Sequence, residues 1–291
     1  MKMNELLATF DTEESCKAYL VEKRWPNGEI ECPKCGNQKV YTLKTRPFHW
    51  VCKKCNKNGY RFSVLSGTIF ENTKYPLRDW FKVLFLMYSS KKGMSAHQIH
   101  RMLGTGCYET AWYMCHRIRA AMQSEDFFQL MGEVEVDETY VGGKAKNRHG
   151  GRSGNGRGTA NKVAVVGAIA RKGNIVAQVV EHVDQKTLNS FVQETVSDKV
   201  SLVATDEHSG YANLRKKGFP HQTVNHSEGE YVHGNVHTQN IDGFWSLLKR
   251  GIIGNYHKVS KEYLPLYVAE FAFRHNHRED TDIFGSIIAG C

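Results

Sequence analysis

The sequence has no apolar run long enough to cross a membrane, since no window approaches the roughly 18 consecutive apolar residues of a transmembrane helix. The start of the chain also lacks the apolar core of a secretory signal peptide, because acidic residues begin at Glu5. These absences argue against the membrane and secreted classes of protein. We therefore expect a cytoplasmic protein, in which thiols stay reduced.

Acidic residues are also in short supply. The 291-residue chain carries 39 Lys and Arg against 30 Asp and Glu, so its formal net charge is +9. This excess favours a polyanionic partner such as nucleic acid, although charge alone is equally compatible with a basic protein that binds none. The length is sufficient for two domains, and an apolar fraction of 41% is ordinary for a globular protein.

Four of the eight cysteines form two closely spaced pairs, Cys32 with Cys35 and Cys52 with Cys55. This C-x2-C…C-x2-C pattern is typical of a structural Zn²⁺ site closed by four thiolates, and a redox-active dithiol or a disulfide pair is the alternative. Short segments with strand character lie around the pairs. Residues 1–70 are therefore predicted to form an N-terminal helix and a zinc ribbon, whose many Lys and Arg side chains either touch a duplex or face solvent.

Three helical patterns follow the ribbon, over residues 76–88, 95–103 and 108–119. The last two are joined by a short turn with glycine, which is the outline of a helix-turn-helix. Residues 71–125 are thus predicted to be a helix-turn-helix-like DNA-binding region, with an ordinary helical hairpin as the alternative. The candidate phosphate contacts are basic and aromatic: Tyr108, Trp112, His116, Arg117 and Arg119.

Carboxylates stand at three unusual places in the second half of the chain. Asp137 lies inside the apolar strand pattern 134–141, Asp206 ends the strand pattern 200–206, and Asp242 opens the amphipathic segment 241–250. Asp is depleted in strands, and a buried Asp must be paired or bind a metal. Three acids on separate elements could converge into a magnesium site, whereas each acid alone would more simply be a surface or capping carboxylate.

The order of patterns around these acids indicates an α/β layer with a mixed sheet. A hairpin (162–170 and 175–180), a helix (185–196) and the strand ending at Asp206 come first. A short helix (210–217), a strand (222–225) and an aromatic helix (263–278) expected on the flank of the sheet follow. The Gly- and base-rich stretch 142–158 is predicted to be a loop, either ordered by DNA or passive; its cations are Lys144, Lys146, Arg148, Arg152 and Arg157.

Three motifs, at residues 136–143, 205–211 and 237–250, carry a family resemblance together with the ribbon cysteines. They resemble RNase H-like DDE transposases, most closely the bacterial insertion-sequence transposases of the ISXO2-like family, which pair a zinc ribbon with a DDE domain. The resemblance covers nearly the whole chain. It implies an RNase H-like mixed five-stranded sheet flanked by helices over residues 126–291, preceded by the zinc ribbon and the small helical domain.

The resemblance also implies the catalytic residues. It puts Asp137, Asp206 and Asp242 at the three acids that hold Mg²⁺ or Mn²⁺, and Lys249 at the basic residue two helical turns beyond the third acid. That third acid is usually Glu, so Asp242 is a departure, and Asn240 is a second candidate for the ligand. Arg250 is a candidate phosphate contact beside Lys249. Residues flanking the site either orient water or are structural: Glu138, Glu207, His208, His233 and His237.

The implied activity is transposition by two-metal phosphodiester chemistry. The enzyme nicks the insertion-sequence ends, and the freed 3′-OH attacks target DNA in the same site. The implied partner is double-stranded DNA, both transposon ends and target, bound by a homodimer or higher oligomer associated with the bacterial nucleoid. Two alternatives stay open: a catalytically weakened DNA-binding regulator, and an RNase H-like structure-specific nuclease.

Overall fold

A computed structural model of the chain describes residues 1–123, 129–143, 162–224 and 237–291. These residues form two compact units, one made of Met1–Met122 with Asp280–Cys291 and the other of Gln123–Glu279. None of the described helices combines the length and apolarity that a bilayer crossing requires. The finer division at residues 70 and 125 into separately folding domains stays a prediction.

The first unit consists of a small sheet and a set of helices. The sheet has three antiparallel strands in chain order, β1 (Val40–Thr42), β2 (His49–Cys52) and β3 (Tyr60–Ser63). Its helices are α1 (Met3–Thr9), α2 (Glu13–Arg24), α3 (Leu77–Ser89), α4 (Ala96–Leu103), α5 (Tyr108–Ala121) and α9 (Ile283–Ala289). The ribbon strands and the three consecutive helices α3 to α5 agree with the sequence patterns.

The helix α4 begins and ends where its local sequence dictates. The Ser95 hydroxyl accepts a hydrogen bond from the Gln98 backbone N–H at 3.2 Å, which satisfies one of the free donors of the first turn. Gly104 closes the helix in the left-handed conformation, with φ of 63°, which glycine adopts without strain. The short α4–turn–α5 outline predicted from the sequence is therefore present.

Two of the phosphate contacts predicted on α5 are wrong. His116 is 8% exposed and Arg119 is 1% exposed, so neither side chain is available to a duplex in this structure. The helical pattern gave no warning, because α5 buries side chains on more than one face. On α4, the side chains of His97, Gln98 and Arg101 are exposed.

The C-terminal helix α9 completes the core of the first unit, a role that the sequence patterns did not predict. The ring of Phe284 contacts the rings of Phe10, Tyr19 and Phe81, with centroids 5.3 to 5.9 Å apart. Asp282, which caps α9, also forms an ion pair with Lys23 at 2.7 Å. The last twelve residues, 280–291, thus belong to the same compact unit as the ribbon.

Replacing Phe284 with Ala is expected to destabilise the first unit by about 3–5 kcal/mol, the usual cost of removing a buried Phe side chain. Phe284 is only 1% exposed. Urea unfolding monitored by circular dichroism measures the loss, and Tyr41→Ala, at a ribbon position that is 57% exposed, is the control. A cost below about 1 kcal/mol for Phe284→Ala would show that α9 is not part of this core.

The second unit is built on a mixed five-stranded sheet. Its strands are β4 (Glu133–Val141), β5 (Val163–Ala170), β6 (Ile175–Val180), β7 (Leu202–Thr205) and β8 (His221–Thr223). They lie in the order β6–β5–β4–β7–β8, with β5 antiparallel to both its neighbours and β4, β7 and β8 parallel. The predicted RNase H-like α/β sheet is confirmed.

Helices cover both faces of this sheet. The helix α6 (Gln185–Thr195) packs Leu188 and Phe191 against one face, while α7 (Gln239–Gly251) and α8 (Leu264–Asn276) pack on the other. The amide of Asn276 at the end of α8 exchanges two hydrogen bonds with the backbone of Ile175, at 2.8 and 3.0 Å. The expectation that the last aromatic helix packs on the sheet is confirmed.

Several predicted elements differ in detail. The helix expected over 210–217 is instead two 3₁₀ turns, Ser209–Tyr211 and Arg215–Lys217, and Gly218 with φ of 93° ends the second turn. The strand β8 starts earlier than predicted, and Asn225 lies outside the described residues. The Gly- and base-rich loop lies outside them from Lys144 onward, as does His233, so their predicted roles are not addressed.

Candidate active site

Strand pairing explains why two of the predicted acids meet. The parallel strands β4 and β7 are paired with Val136 opposite Thr205. Asp137 and Asp206 each follow one residue later, where β7 has ended and β4 continues. Oxygen atoms of Asp137, Glu138 and Asp206 all lie within 4.8 Å of one another. The middle of β4 and the end of the neighbouring parallel strand β7 thus carry a three-carboxylate cluster.

Hydrogen bonds hold two members of this cluster, Asp206 and Glu138. The backbone N–H of His208 donates to Asp206 Oδ1 at 3.0 Å, which fixes the carboxylate in the turn after β7. The phenol of Tyr211 donates to Glu138 Oε2 at 2.9 Å. Glu138 was predicted only as a flanking residue, and its closeness to both aspartates is a finding of the structure.

The electrostatics of the cluster are unfavourable without a cation. Burial raises the pKa of Asp137 to about 7, and repulsion from Glu138, Asp206 and Asp242 adds to the effect. Burial and the charge of Asp206 likewise raise the pKa of Glu138. Three close oxygen donors that repel one another form the kind of ligand set that hard divalent cations take.

The third predicted acid lies apart from this cluster. Asp242 stands on the exposed side of the first turn of α7, where its Oδ2 accepts a hydrogen bond from the Thr238 hydroxyl at 3.3 Å. Its charge still contributes to the raised pKa of Asp137. Among the residues that the structure describes, however, Asp242 is not within the 4.8 Å group that Asp137, Glu138 and Asp206 form.

The competing candidate Asn240 is occupied elsewhere. Its Nδ2 donates to Glu135 Oε1 at 2.7 Å, and its backbone N–H donates to Glu135 Oε2 at 2.8 Å. Lys249 and Arg250 are exposed on the last turn of the same helix. The side chain of Asp242 is therefore held less tightly than that of Asn240. Two cationic side chains also lie further along the same helix.

Glu135 is a buried acid beside the site that sequence reasoning missed. Its side chain is fully buried on β4, two residues before Asp137 on the same face, and it also accepts a hydrogen bond from the Ile241 N–H at 3.1 Å. It thereby caps the free N–H groups of α7 from another element, as an N-cap residue would. Arg171 Nε, 3.0 Å away, compensates the buried charge. The available signal in the sequence was an acid two residues before Asp137, which puts both side chains on the same face of the predicted strand.

The cysteine cluster of the first unit has the geometry of a tetrahedral site. The Sγ atom of Cys55 lies 3.6 Å from that of Cys32 and 3.3 Å from that of Cys35, and Cys35 lies 3.7 Å from Cys52. Zinc–sulfur bonds of about 2.3 Å in a tetrahedron separate the sulfurs by about 3.8 Å. All four thiols belong to one mutually close group, which fits a metal better than a single disulfide.

Comparison with known families identifies the chain. A model of the family described as ISXO2-like transposase domain matches residues 129–276, and one described as transposase zinc-ribbon domain matches residues 11–58. The chain belongs to the ISXO2-like transposase family. The predicted resemblance, including the pairing with a zinc ribbon, is confirmed.

A relative of this chain is likewise a protein of a transposable element. This transposase is 28% identical, over 282 residues and 92% of each chain, to the "Uncharacterized protein in transposable element ISH50" of Halobacterium salinarum. Among solved structures it is 14% identical to a chain of a simian T-cell lymphotropic virus intasome bound to the PP2A regulatory subunit B56 gamma, with 65% of this chain and 66% of that chain covered. The TM-score is 0.32, too low to indicate a shared fold.

The two family matches contain both clusters described above. The ribbon match includes the four cysteines, and the transposase match includes the three carboxylates together with Asp242 and Lys249. Membership of a transposase family implies that the protein binds DNA. The transposase match ends with α8, and α9 lies beyond it.

Proposed function

We propose that this protein is a divalent-cation-dependent DDE transposase that cuts the ends of an insertion sequence and joins their 3′-OH groups to target DNA. The observation that carries the proposal is the meeting of Asp137, inside β4, with Asp206, just after the neighbouring parallel strand β7. Family membership supports the reaction class. The close and partly buried like charges support a cation as the missing partner.

Asp137 and Asp206 would hold Mg²⁺ or Mn²⁺, with Asp242 as the third acid from α7. A divalent cation bound there supplies Lewis-acid activation and charge neutralisation for an in-line displacement at phosphorus. The chain itself contributes orientation: Tyr211 holds Glu138, and the His208 N–H holds Asp206. The exposed cations Lys249 and Arg250 would bind backbone phosphates beside the acids.

Zn²⁺ would occupy the cluster of Cys32, Cys35, Cys52 and Cys55 as a structural ion. The sulfur separations of 3.3 to 3.7 Å fit four thiolates around one metal. The ribbon also offers a surface to DNA, because all the cations predicted there are exposed: Lys34, Lys39, Lys44, Arg46, Lys53, Lys54, Lys57 and Arg61. We propose that the ribbon and residues 71–125 bind transposon ends as a homodimer or higher oligomer, since two ends must be cut together.

A cleavage and strand-transfer assay tests the proposal. Zinc-loaded protein is incubated with duplexes carrying the element's own ends and with a target plasmid, with Mg²⁺, with Mn²⁺ and without either cation. We expect nicked and joined products only with a divalent cation. Asp206→Asn should lower the rate about 1,000-fold or more, since a metal site supplies several kcal/mol of transition-state stabilisation. The matched control is Asp198→Asn, an exposed acid shortly before β7.

The same assay separates the alternatives. Binding to the transposon ends without cleavage would favour the catalytically weakened DNA-binding regulator. Cleavage without joining would favour the RNase H-like structure-specific nuclease. Asp242→Ala and Asn240→Ala address the third ligand, and the larger loss of rate should fall on Asp242. A further variant for the same assay is Asp242→Glu, because it restores the longer side chain that is usual in the family at this position.

A further inference from the structure

A buried tryptophan connects the helix that carries Asp242 to the strand that carries Asp137. The indole Nε1–H of Trp245 donates to Asp137 Oδ2 at 2.9 Å. Trp245 lies three positions after Asp242 on α7, about one helical turn away, and is only 3% exposed. Its N–H therefore reaches the carboxylate from the covered side of the sheet and leaves Oδ1 as the oxygen that the indole does not engage.

The strand beside Asp137 is shaped to admit this ring. Gly167 on β5 is the partner of Asp137 across the sheet. A Cβ atom at Gly167 would lie 2.7 Å from Cη2 and 2.8 Å from Cζ2 of Trp245, which is closer than real contacts allow. The absence of a side chain at this position opens the recess through which the indole reaches the acid.

The hydrogen bond goes beyond what packing alone requires. A phenylalanine at 245 would also bury a ring in the apolar cluster of Ile241, Phe244 and Leu248. An indole adds a donor that must be satisfied when buried, and this donor is directed at the Asp137 carboxylate. Donors of this kind behind a ligating carboxylate fix its orientation, and their loss commonly costs 10–100-fold in metal affinity.

We propose that Trp245 is a positioning residue: its indole N–H, admitted by Gly167, holds the Asp137 carboxylate in the orientation that binds the divalent cation. The same bond sets the distance between α7 and β4, and with it the place of Asp242 relative to Asp137. This inference rests on the proposed function, because it presumes that Asp137 is a ligand.

Binding of Mn²⁺ to the zinc-loaded full-length protein, measured by electron paramagnetic resonance of the free ion, tests the inference. Trp245→Phe should weaken binding about 10–100-fold. The matched control is Trp80→Phe, because Trp80 is also buried and donates its indole N–H at 2.8 Å to a hydroxyl, that of Thr73 in the first unit. Trp80→Phe loses a comparable bond and should bind Mn²⁺ as the unaltered protein does.

A second measurement needs no variant to fold well. In protein labelled with ¹⁵N-tryptophan, the Nε1–H resonance of Trp245 should shift as Mg²⁺ is added, while that of Trp80 stays in place. Mn²⁺ binding by Trp245→Phe within about 3-fold of the unaltered protein, or an unmoved Trp245 resonance at saturating Mg²⁺, overturns the inference. If the unaltered protein shows no binding that Asp137→Asn removes, the proposed function itself fails, which is a different result.

Discussion

Removing zinc is expected to unfold the ribbon of this ISXO2-like transposase while the five-stranded sheet of the second unit stays folded. The strands β1, β2 and β3 have only three or four residues each. Their core consists of little more than Trp50, Phe62 and the buried thiols of Cys32 and Cys52. A module of this size rarely folds alone, and structural Zn²⁺ supplies apparent binding energies of about 10–16 kcal/mol in zinc-finger peptides.

Cys52→Ser provides the cleanest version of this experiment, because Cys52 is fully buried at the end of β2. We expect zinc content to fall and the fluorescence of Trp50 and its neighbour Trp25 to change, since their rings lie 5.4 Å apart. The control is Cys107→Ser, an exposed cysteine outside the cluster. Unchanged zinc content and thermal unfolding in Cys52→Ser would contradict a structural zinc site.

Replacing Asp137 with Asn is expected to stabilise the protein without Mg²⁺ and to abolish strand transfer with it. The pKa of Asp137 is about 7 in the folded state against 3.8 as the unperturbed value. Between those pH values the folded protein holds a proton that the unfolded chain has released, so stability falls as pH rises from about 4 to about 7. Asn carries no such charge. At pH 8 the free energy of unfolding of Asp137→Asn should therefore exceed that of the unaltered protein by on the order of 2–4 kcal/mol.

Urea unfolding of the zinc-loaded proteins between pH 4 and pH 8 tests the direction of this pH dependence of stability. The advantage of Asp137→Asn should be largest at pH 8 and should shrink steadily toward pH 4. Added Mg²⁺ should stabilise only the unaltered protein, because ligand binding to the folded state shifts the equilibrium. A variant that is less stable than the unaltered protein at pH 8 in the absence of Mg²⁺ would mean that Asp137 is held by partners rather than by a cation.

The sequence carried enough information to predict the cysteine cluster and to single out Asp137 and Asp206 among the clustered carboxylates, because local patterns and their chemistry coincide there. Paired cysteines at a fixed spacing define the ribbon, and an acid inside an apolar strand is costly unless it has a function. The resemblance to DDE transposases assigned Asp137, inside one strand, and Asp206, at the end of another, to the same metal site. In the structure the two side chains lie close together because Val136 on β4 is paired with Thr205 on β7.

The contacts that orient the site could not be predicted, because each joins residues far apart in the chain. Periodicity shows that α7 has an apolar face, but it does not reveal that Glu135 caps the first turn or that Trp245 reaches Asp137. The return of α9 to the first unit is equally hidden, since Phe284 finds its partners more than 190 residues earlier. The distance of Asp242 from the carboxylate cluster depends on how α7 docks, which local sequence does not fix.

The most direct test of the central claim is anomalous diffraction from crystals of the transposase soaked in Mn²⁺. Ligation by Asp137 and Asp206 predicts an anomalous peak at about 2.1–2.2 Å from oxygen atoms of both carboxylates, as hard oxygen ligands require. That peak should be absent from crystals of Asp137→Asn. Fully soaked crystals with no peak between these two side chains would contradict the claim that they hold the catalytic cation.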